Sequence, residues 1–530
     1  MTNRLAPTRA FGNSHSALGF GLKLCLLTSA LTILLAAQDG QVRKKFDVPR
    51  AWDDKVMNGL EVPLANPLGS PKQVSADYYY RIPVRPIYKQ YRVYAPGREP
   101  TGYFEALKEK EPVLIWDGAD HRPVLKTETD WIDAGRVVFS AALISSVDQG
   151  LFVTTDVRSQ DWYRKSGMPV TPDGVLPFLH YVIREKGKVE LGSFSCAMCH
   201  TRIMPGGALV AGAQGNFPFE RALPAINSPK PRMPADLVFL FSRQMYAMPW
   251  LDPDPIDRQR RMPADQFDSM IKAIPPGVVA RHRSSPFTPV QVPDLIGLKD
   301  RHYLDRTGLQ PHHSAVDLMR YSALNQGADS LASFDGFIPA DLPQFKQLPD
   351  PSDPMMVGGR YSDEQLYALA LFVYSLKPPV NPNKFDVAAA RGKKVFQVAG
   401  CADCHTPPLY TNNKLTPADG FKVPPDHLAK YDILHESVGT DPDLTLKTRR
   451  GTGYYKVPAL KGVWYRSMFG HSGWCATLED WLDPKRLRED YVPTGFRPYG
   501  VKTFAVKGHS FGLGLSAPDK RDLIAFLKTL

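Results

Sequence analysis

Four of the six cysteines lie in two copies of one short motif. The copies are Cys196-Ala-Met-Cys199-His200 and Cys401-Ala-Asp-Cys404-His405. The pattern C-x-x-C-H is the signature of covalent attachment of a c-type haem. Two thiols on one helical turn can each bond a haem vinyl group, and the adjacent histidine then points its imidazole at the iron as the proximal ligand. The sequence therefore predicts two covalent haems, with His200 and His405 as iron ligands.

Other chemistries of paired cysteines fit these motifs less well. A thioredoxin-like redox pair needs no histidine after it and belongs in a βαβ pattern, which this sequence lacks. A structural zinc site made of four cysteines would leave both histidines without a task and would have to join motifs 205 residues apart. Of the two remaining cysteines, Cys25 lies near the N-terminus, and we expect Cys475 to be a buried free thiol.

The sequence around the two motifs is itself repeated. The matching stretches are Ala134-Gly-Arg-Val-Val-Phe139 with Arg391-Gly-Lys-Lys-Val-Phe396, and Val292-Pro-Asp-Leu-Ile-Gly297 with Val457-Pro-Ala-Leu-Lys-Gly462. Each unit then closes with an apolar helix, predicted to begin after the capping-box residue Ser362 in the first unit and after Ser516 in the second. Helix, C-x-x-C-H, VPxLxG segment and closing helix therefore occur in that order twice.

This order predicts the domain organisation. We expect one haem domain over 131–380, with a long insertion ahead of Cys196, and a second over 385–530. A proline-rich linker separates the two units. Residues 38–130 are rich in proline and tyrosine, and we interpret them as an extended arm packed over the haem units.

The N-terminus predicts export. Residues 1–23 carry positive charges and no acid, and residues 24–37 form an apolar run followed by polar residues. A basic region, a short apolar core and small residues at its end are typical of a secretory signal, and the run is short for a transmembrane span. We therefore interpret 1–37 as a signal peptide of a periplasmic protein. The membrane becomes a partner only if this segment stays uncleaved and acts as an anchor.

The composition is that of an exported globular protein. Hydrophobic residues make up 43% and charged residues 22%, which excludes a disordered chain, a coiled coil and a multi-span membrane protein. The formal charge of +11, less the three positive residues of the predicted signal, leaves +8. This surplus is spread along the chain without a polybasic block. It suits docking to an acidic partner and gives no indication of nucleic-acid binding.

The tandem motifs and the segments after them resemble the bacterial dihaem cytochrome c peroxidase superfamily. The resemblance covers roughly 130–530 and rests on the two motifs, His405-Thr-Pro-Pro-Leu-Tyr-Thr-Asn-Asn-Lys414, the Val457–Gly462 segment and His471-Ser-Gly-Trp-Cys-Ala-Thr-Leu-Glu479. That superfamily also includes the methylamine dehydrogenase-maturing dihaem enzyme and the dihaem rubber oxygenase. The long segment before the first motif, and Gly508-His-Ser-Phe-Gly512 before the last helix, look most like the rubber-oxygenase branch.

The resemblance implies a fold and a division of labour. The fold class is mainly α, with two tandem cytochrome c-like haem domains, long loops and an extended N-terminal arm. The N-terminal haem is expected to do the chemistry with an open or loosely held distal position. The C-terminal haem is expected to be six-coordinate and to act as an electron reservoir. Some relatives also bind a cation between the haems, so a calcium ion is a possible further cofactor.

The distal ligands are less closely defined. For the C-terminal haem, the resemblance favours His509, because the ligand in relatives follows the HSG…TLE stretch; Met468, which precedes that stretch, is the alternative. For the N-terminal haem no ligand or distal acid stands out. The histidines and methionines of that unit that we considered are His282, His302, His312, His313, Met204 and Met248.

Three functions follow as hypotheses. The first is an oxidoreductase of the cytochrome c peroxidase type, which takes electrons from a small redox donor protein at the C-terminal haem and passes them to a reactive N-terminal haem that reduces peroxide. The second is a dioxygenase of the rubber-oxygenase type, with dioxygen and an apolar substrate beside the N-terminal haem. The third is a non-catalytic electron carrier with both irons saturated.

Overall fold

A computed structural model of the chain describes nine stretches, which are 46–66, 73–145, 154–222, 246–248, 250–280, 284–325, 347–353, 357–449 and 451–530. The predicted signal peptide, Cys25 and His282 lie outside them. From Val48 onward, the described residues belong to one compact unit. In these stretches, no helix has both the length and the apolar character needed to cross a bilayer.

Short helices are spread along the whole of the described chain. The α-helices are α1 (Asp54–Met57), α2 (Ala76–Arg81), α3 (Tyr103–Lys108), α4 (Glu128–Ser140), α5 (Thr154–Val157), α6 (Gln160–Ser166), α7 (Cys196–Cys199), α8 (Phe219–Ala222), α9 (Pro255–Arg260), α10 (Ala264–Lys272), α11 (Ala315–Asn325), α12 (Asp363–Ser375), α13 (Val387–Val398), α14 (Pro425–Lys430), α15 (Asp443–Leu446), α16 (Leu478–Trp481) and α17 (Ala517–Lys528). The 3-10 helices are Leu298–Asp300, Cys401–Asp403, Val463–Tyr465 and Pro484–Leu487.

The strands are also short, apart from one hairpin. They are β1 (Ile87–Tyr88), β2 (Gln90–Tyr94), β3 (Leu114–Trp116), β4 (Leu143–Ser145), β5 (Val175–Glu185), β6 (Lys188–Ser193), β7 (Thr201–Ile203), β8 (Leu209–Ala211), β9 (Val278–Val279), β10 (Val290–Gln291), β11 (Leu415–Pro417) and β12 (Tyr454–Lys456).

The described part of the chain is 33% helix and 12% strand, so its fold is mixed, and the expectation of a mainly α protein needs correction. The largest sheet is antiparallel, with the strand order β2-β5-β6-β4. Strands β5 and β6 form a hairpin in the insertion ahead of the first motif. The β5 sequence VLPFLHYVIRE is rich in β-branched and aromatic residues, which favour strands. The strands of this insertion and of the N-terminal arm account for much of the strand content that the sequence did not predict.

In its described residues, the N-terminal arm contains three helices and three strands, and it contacts the first repeat unit at several points. Strand β2 joins the large sheet through β5. The backbone amide of Ala51 donates a hydrogen bond to Asp363 Oδ1 at the start of α12. Val84 forms a parallel bridge with Arg360. The boundaries proposed for the arm and for the two haem domains stay predictions.

Two helix pairs follow the sequence repeat. Helix α4 packs against α12 in the first unit, and α13 packs against α17 in the second. The capping box predicted at the start of α12 is confirmed, because Ser362 and Gln365 each accept a hydrogen bond from the other's backbone amide. Ser516 caps α17 in the same way, by accepting from the amide of Asp519. The matching helices therefore begin with the same signal.

A glycine lies where the helices of each pair cross. A Cβ on Gly135 would lie 2.0 Å from the carbonyl oxygen of Ala368, and one on Gly392 would lie 1.8 Å from that of Asp522. Real Cβ atoms do not approach oxygen so closely, so only glycine permits these backbones to touch. The contact brings Phe139 of α4 within 5.1 Å of a phenylalanine of α12, and the equivalent rings of α13 and α17 are 5.3 Å apart.

Each VPxLxG segment ends in a glycine with left-handed backbone. Gly297 has a φ of +75° and Gly462 a φ of +77°, and each caps a 3-10 helix. A residue with a Cβ is strained in that region. The two segments therefore turn in the same way, and each places its proline, Pro293 or Pro458, in the wall of a separate cavity.

The glycines at the helix crossings give a stability prediction. We expect Gly392→Ala to lower the free energy of unfolding by about 1–3 kcal/mol, the usual cost of overpacking, because the new methyl group meets a backbone oxygen that cannot move alone. Gly135→Ala is expected to act similarly. Urea denaturation followed by circular dichroism measures the effect.

The matched control is Gly514→Ala. Nothing lies within 4 Å of a Cβ at Gly514, and its φ is ordinary. We expect this variant to stay within about 0.5 kcal/mol of the parent protein. Equal stability of the Gly392 and Gly514 variants would contradict the close crossing of α13 and α17.

Candidate haem sites

The second C-x-x-C-H motif opens into a large apolar cavity, here called the C-terminal cavity. It has about 1540 Å³ of empty space, including its opening to solvent, and Cys401, Cys404 and His405 form part of its wall. Phe396 of α13 and Leu523 of α17 lie in the same wall, so the glycine crossing described above also shapes this cavity.

His405 is oriented by backbone carbonyls. Its Nδ1 donates a hydrogen bond to the carbonyl of Tyr410 at 2.9 Å, and the ring also interacts with the carbonyl of Pro458 in the VPxLxG segment. Burial lowers the pKa of His405, so the ring is neutral. Histidines that bind metals typically donate their other ring N–H to such a carbonyl, which fixes the tautomer and leaves Nε2 for the metal.

His509 faces His405 across the C-terminal cavity. The imidazole centroids are 6.3 Å apart, and the ring planes make an angle of 60°. An imidazole nitrogen binds a metal at about 2.0–2.1 Å, and the ring centroid lies roughly 1.1 Å behind that nitrogen, so two imidazoles on one iron have centroids about 6.2–6.4 Å apart. The observed spacing fits one iron between these two rings.

The environment of His509 also suits a metal ligand. Burial, with the nearby His405 and Arg486, lowers its pKa to about 3, which keeps the ring neutral. Its Nδ1 is buried and has no hydrogen-bond partner within the described residues. The φ of His509 is +49°, an uncommon backbone conformation of the kind that clusters at functional sites.

Met468, the alternative ligand, lies elsewhere. It packs against a buried cluster that includes Ile274 and Trp474, and it is not part of the wall of the C-terminal cavity. Of the two distal candidates, the structure brings only His509 to the face opposite His405.

A buried arginine holds the segment that carries His509. Arg486 donates hydrogen bonds to three backbone carbonyls, those of Trp481 at 2.8 Å, Val506 at 2.6 Å and His509 itself at 2.7 Å. Its side chain is completely buried. A guanidinium offers five donors in a fixed geometry, so one side chain can fix several loop carbonyls at once. Arg486 is therefore a positioning residue for His509, and no motif in the sequence indicated it.

The first C-x-x-C-H motif lines a second, smaller cavity, here called the N-terminal cavity. It has about 940 Å³ of empty space and is walled by Cys196, Cys199, His200 and, from the glycine-crossed helices, Phe139 and Leu369. His200 Nδ1 donates a hydrogen bond to the carbonyl of Pro293 at 3.1 Å. As in the second unit, a VPxLxG carbonyl orients the histidine that follows the cysteines.

The remaining lining of the N-terminal cavity differs from that of the C-terminal one. Helix α11 contributes Tyr321, Ser322 and Asn325, and the rest of the wall is mostly aliphatic. Asp305 also lies there, but its carboxylate accepts hydrogen bonds from the amide and hydroxyl of Thr307 and from two further amides. That carboxylate stabilises a turn and is poorly placed to deliver a proton.

The described histidines and methionines considered for the N-terminal haem lie outside this cavity. They are His302, His312, His313, Met204 and Met248. His302 is exposed beside Asp432, whereas His312 is buried between the carbonyl of Arg301 and the hydroxyl of Tyr374. Within the described residues, His200 is therefore the only histidine in the wall of this cavity, and no methionine accompanies it.

The chemistry of the cysteines fits haem attachment. None of the described cysteines forms a disulfide. Burial raises the pKa of the Cys196 thiol to about 12 and that of Cys401 to about 11, so both are neutral thiols in apolar surroundings. Cys475 is buried as expected, with its Sγ 3.8 Å from the hydroxyl of Tyr491. The residues present therefore fit one haem in each cavity.

The described residues contain no group of three or more histidine, cysteine, aspartate or glutamate side chains arranged to hold a metal ion. The calcium ion expected from the resemblance stays a prediction.

An aromatic and acidic cluster borders the C-terminal cavity. His471 stacks on Tyr455 with centroids 4.4 Å apart, and its Nε2 lies 3.5 Å from Asp441 Oδ2. Burial lowers the pKa of His471 well below its usual value, so the ring is neutral and does not compensate the carboxylate. Burial, opposed by a backbone hydrogen bond, raises the pKa of Asp441 to about 7. In the sequence, His471 was indicated only as part of a longer matching stretch.

Removing the Arg486 guanidinium is expected to release His509. Arg486→Gln leaves backbone carbonyls without donors, at a cost of about 1–3 kcal/mol for each. We expect lower stability and a partial loss of the low-spin signal of the C-terminal haem, measured by electron paramagnetic resonance (EPR). The control is Arg488→Gln, because Arg488 is exposed and pairs with Asp490. A variant that loses stability but keeps the full low-spin signal would contradict the positioning role.

Asp441 predicts a pH dependence of stability. The pKa of Asp441 is about 7 in the folded state and about 3.9 in the unfolded state. Between about pH 4 and pH 7, Asp441 is therefore protonated in the folded state and ionised in the unfolded state. Stability should therefore fall as pH rises from about 4 to 7, by up to a few kcal/mol. Asp441→Asn should remove this slope and stabilise the protein most at pH 8, as measured by urea denaturation across pH. Asp426→Asn, at an exposed ion pair with Lys430, is the control and should leave the slope in place.

Comparison with known proteins adds two distant structural similarities. No family model matches the sequence, and no curated protein is significantly similar to it. Hydrazine synthase of Kuenenia stuttgartiensis matches with 15% identity and a TM-score of 0.28, over 57% of this chain and 89% of that one. A MauG-like protein associated with microbial copper homeostasis matches with 16% identity and a TM-score of 0.27, over 46% of this chain and 73% of that one. At these TM-scores neither similarity establishes a shared fold, and the function proposed below rests on the chain's own residues.

Proposed function

We propose that the chain is a dihaem c-type redox enzyme whose two haems have different roles. One observation carries this proposal, namely that the two cavities differ in the side chains that accompany the proximal histidine. His405 faces His509 at the spacing of two ligands on one iron. The described lining of the N-terminal cavity includes His200 but no other histidine and no methionine. An iron with both axial positions filled suits electron storage, and one with an open position suits chemistry.

The residues of the C-terminal cavity would keep its iron six-coordinate. The carbonyl of Tyr410 fixes His405, and Arg486 fixes the backbone of His509. Because hydrogen bonds fix both His405 and His509, the two residues would move little when a bound iron gained or lost an electron. Such rigidity favours rapid electron transfer. Met468 stays in the core packing.

The residues of the N-terminal cavity would orient one ligand and leave room for a small oxidant. Bound there, a haem supplies one-electron redox chemistry at an open iron. The carbonyl of Pro293 holds His200 on one side. Helix α11 lines the same cavity with Tyr321, Ser322 and Asn325 beside aliphatic side chains. In peroxidase chemistry, two electrons and two protons convert one hydrogen peroxide into two waters, and a reduced donor protein would supply both electrons.

A dioxygenase function of the rubber-oxygenase type is the second candidate, and one observation favours it. The carboxylate of Asp305 is already engaged by four hydrogen bonds, so the described wall offers no evident acid to protonate a leaving oxygen. Val279, Val290 and Leu318 line the same cavity, which suits an apolar substrate.

The cellular setting of this function is proposed from the sequence. An N-terminal secretory signal would bring the chain to the periplasm, where c-type haem is attached. The net charge of +8 that remains after removal of the signal suits transient docking of a small acidic donor protein. A membrane attachment would follow only from an uncleaved signal.

The test is the spin state of each haem in the purified holoprotein. We expect two covalent haems per chain, one low-spin and one high-spin, by absorption and EPR spectroscopy. The high-spin component should shift when cyanide or peroxide is added. His509→Ala should convert the low-spin haem to high-spin, whereas Met468→Leu, the matched control, should leave both signals unchanged.

Each alternative has its own outcome in that experiment. Two low-spin signals indifferent to added ligand, in both oxidised and half-reduced protein, would rule out catalysis and leave an electron carrier. Conversion by Met468→Leu in place of His509→Ala would reassign the ligand. Given an open haem, peroxide consumption with a reduced donor supports the peroxidase, and uptake of dioxygen with an apolar polyisoprenoid supports the dioxygenase.

A further inference from the structure

A small polar cavity lies against both haem cavities, and its charge is unbalanced. It has about 410 Å³ of empty space and is here called the cationic chamber. Its charged lining residues are Asp294, Arg301, Arg306, Lys456 and Arg466. Four cations therefore face one carboxylate, a surplus of three positive charges in the interior of the fold.

Most of these charges have partners within the protein. Asp294 accepts hydrogen bonds from the hydroxyl of Tyr465 at 2.7 Å and from Arg466 Nε at 3.1 Å. Arg301 donates to the backbone carbonyls of Asp294 and Ile296. The chamber's only carboxylate among the described residues is thus already paired with Arg466.

Arg306 is the exception. Its side chain is half-buried, and its Nε is buried without a hydrogen-bond partner. Burial, with repulsion from Arg466 and Arg301, lowers its pKa to about 9. A buried N–H of a guanidinium without an acceptor is costly, so this side chain is suited to an anion that the protein itself does not provide.

The position of Arg306 identifies that anion. Arg306 lines the C-terminal cavity, the N-terminal cavity and the chamber between them. Lys456 and Arg466 line the C-terminal cavity as well as the chamber. A c-type haem is fixed by its vinyl side to the cysteines, and its opposite edge carries two carboxylates, the propionates. Arginine binds carboxylates through two parallel N–H donors, so one guanidinium can serve acceptors on two sides.

We propose that the cationic chamber receives propionate carboxylates of both haems, and that Arg306 is bonded to a propionate of each. This proposal rests on the proposed function, since it requires both haems. It adds that the two cofactors approach each other at their propionate edges, with one shared guanidinium between them. The positive charge of Arg306 then stabilises the reduced form of each haem, and the charge state of one haem is felt by the other.

The test uses the dihaem holoprotein and two variants, Arg306→Gln and Arg306→Lys. Resonance Raman spectra report the propionate bending bands, which respond to hydrogen bonds at the carboxylates. We expect these bands to shift for both haems in either variant. Glutamine removes the positive charge, and lysine keeps the charge but lacks the two parallel N–H donors of the guanidinium. Spectroelectrochemical titration should show both midpoint potentials shifted to lower values in Arg306→Gln, with a smaller shift in Arg306→Lys.

The control is Arg391→Gln, because Arg391 is exposed and already paired with Asp522. It should leave the Raman bands and both potentials unchanged. If Arg306→Gln does not mature, Arg306→Lys, which keeps the charge, carries the Raman comparison alone.

The possible outcomes distinguish failure of this inference from failure of the proposed function on which it rests. A purified chain without covalent haem would overturn the proposed function itself. Two haems whose propionate bands are unchanged in both Arg306 variants would overturn the inference and leave the function standing. A shift confined to one haem would also overturn it, because the guanidinium would then not be shared.

Discussion

The close crossing of two helices at a glycine is the constraint on which each candidate haem cavity depends. Because Gly135 and Gly392 let backbone touch backbone, the large residues on either side of each crossing project to the same side and form a wall. Phe139 and Leu369 belong to the wall of the N-terminal cavity, and Phe396 and Leu523 occupy the equivalent places in the C-terminal one. The cysteines and their histidine then lie at a fixed distance from an apolar surface.

The repeat defines the proximal side of each cavity and leaves the distal side to vary. In both units, a VPxLxG carbonyl interacts with the ring of the histidine that follows the cysteines. In the described residues, the rest of the lining differs between the two cavities. The first unit uses α11, whereas the second uses the segment around His509, held by a buried arginine. A duplicated scaffold with divergent distal sides is how one chain can keep one iron saturated and another open.

The sequence predicted the repeated parts well, because they are local. The C-x-x-C-H motifs, the cap at Ser362 and the glycines of the repeat are defined by neighbouring residues. His509 was indicated through resemblance alone, and the structure brings it opposite His405. The β5–β6 hairpin was missed, because it lies in the insertion, where neither the motifs nor the repeat extend. Arg306 and Arg486 carry no local signal, since their roles depend on carbonyls and cavities formed by distant segments.

The electrostatics of the interior connect these features. A protein rarely buries several cations without matching anions, because desolvation costs more than packing returns. Here the surplus lies where the two cavities meet, and its least compensated member, Arg306, borders both. The apolar walls exclude water, which strengthens every charge interaction inside. The enclosure that keeps His405 and His509 neutral would therefore make each nearby cation a strong determinant of the redox potential of a bound haem. Two haems bound in these cavities would be linked electrostatically through the cations that lie between them.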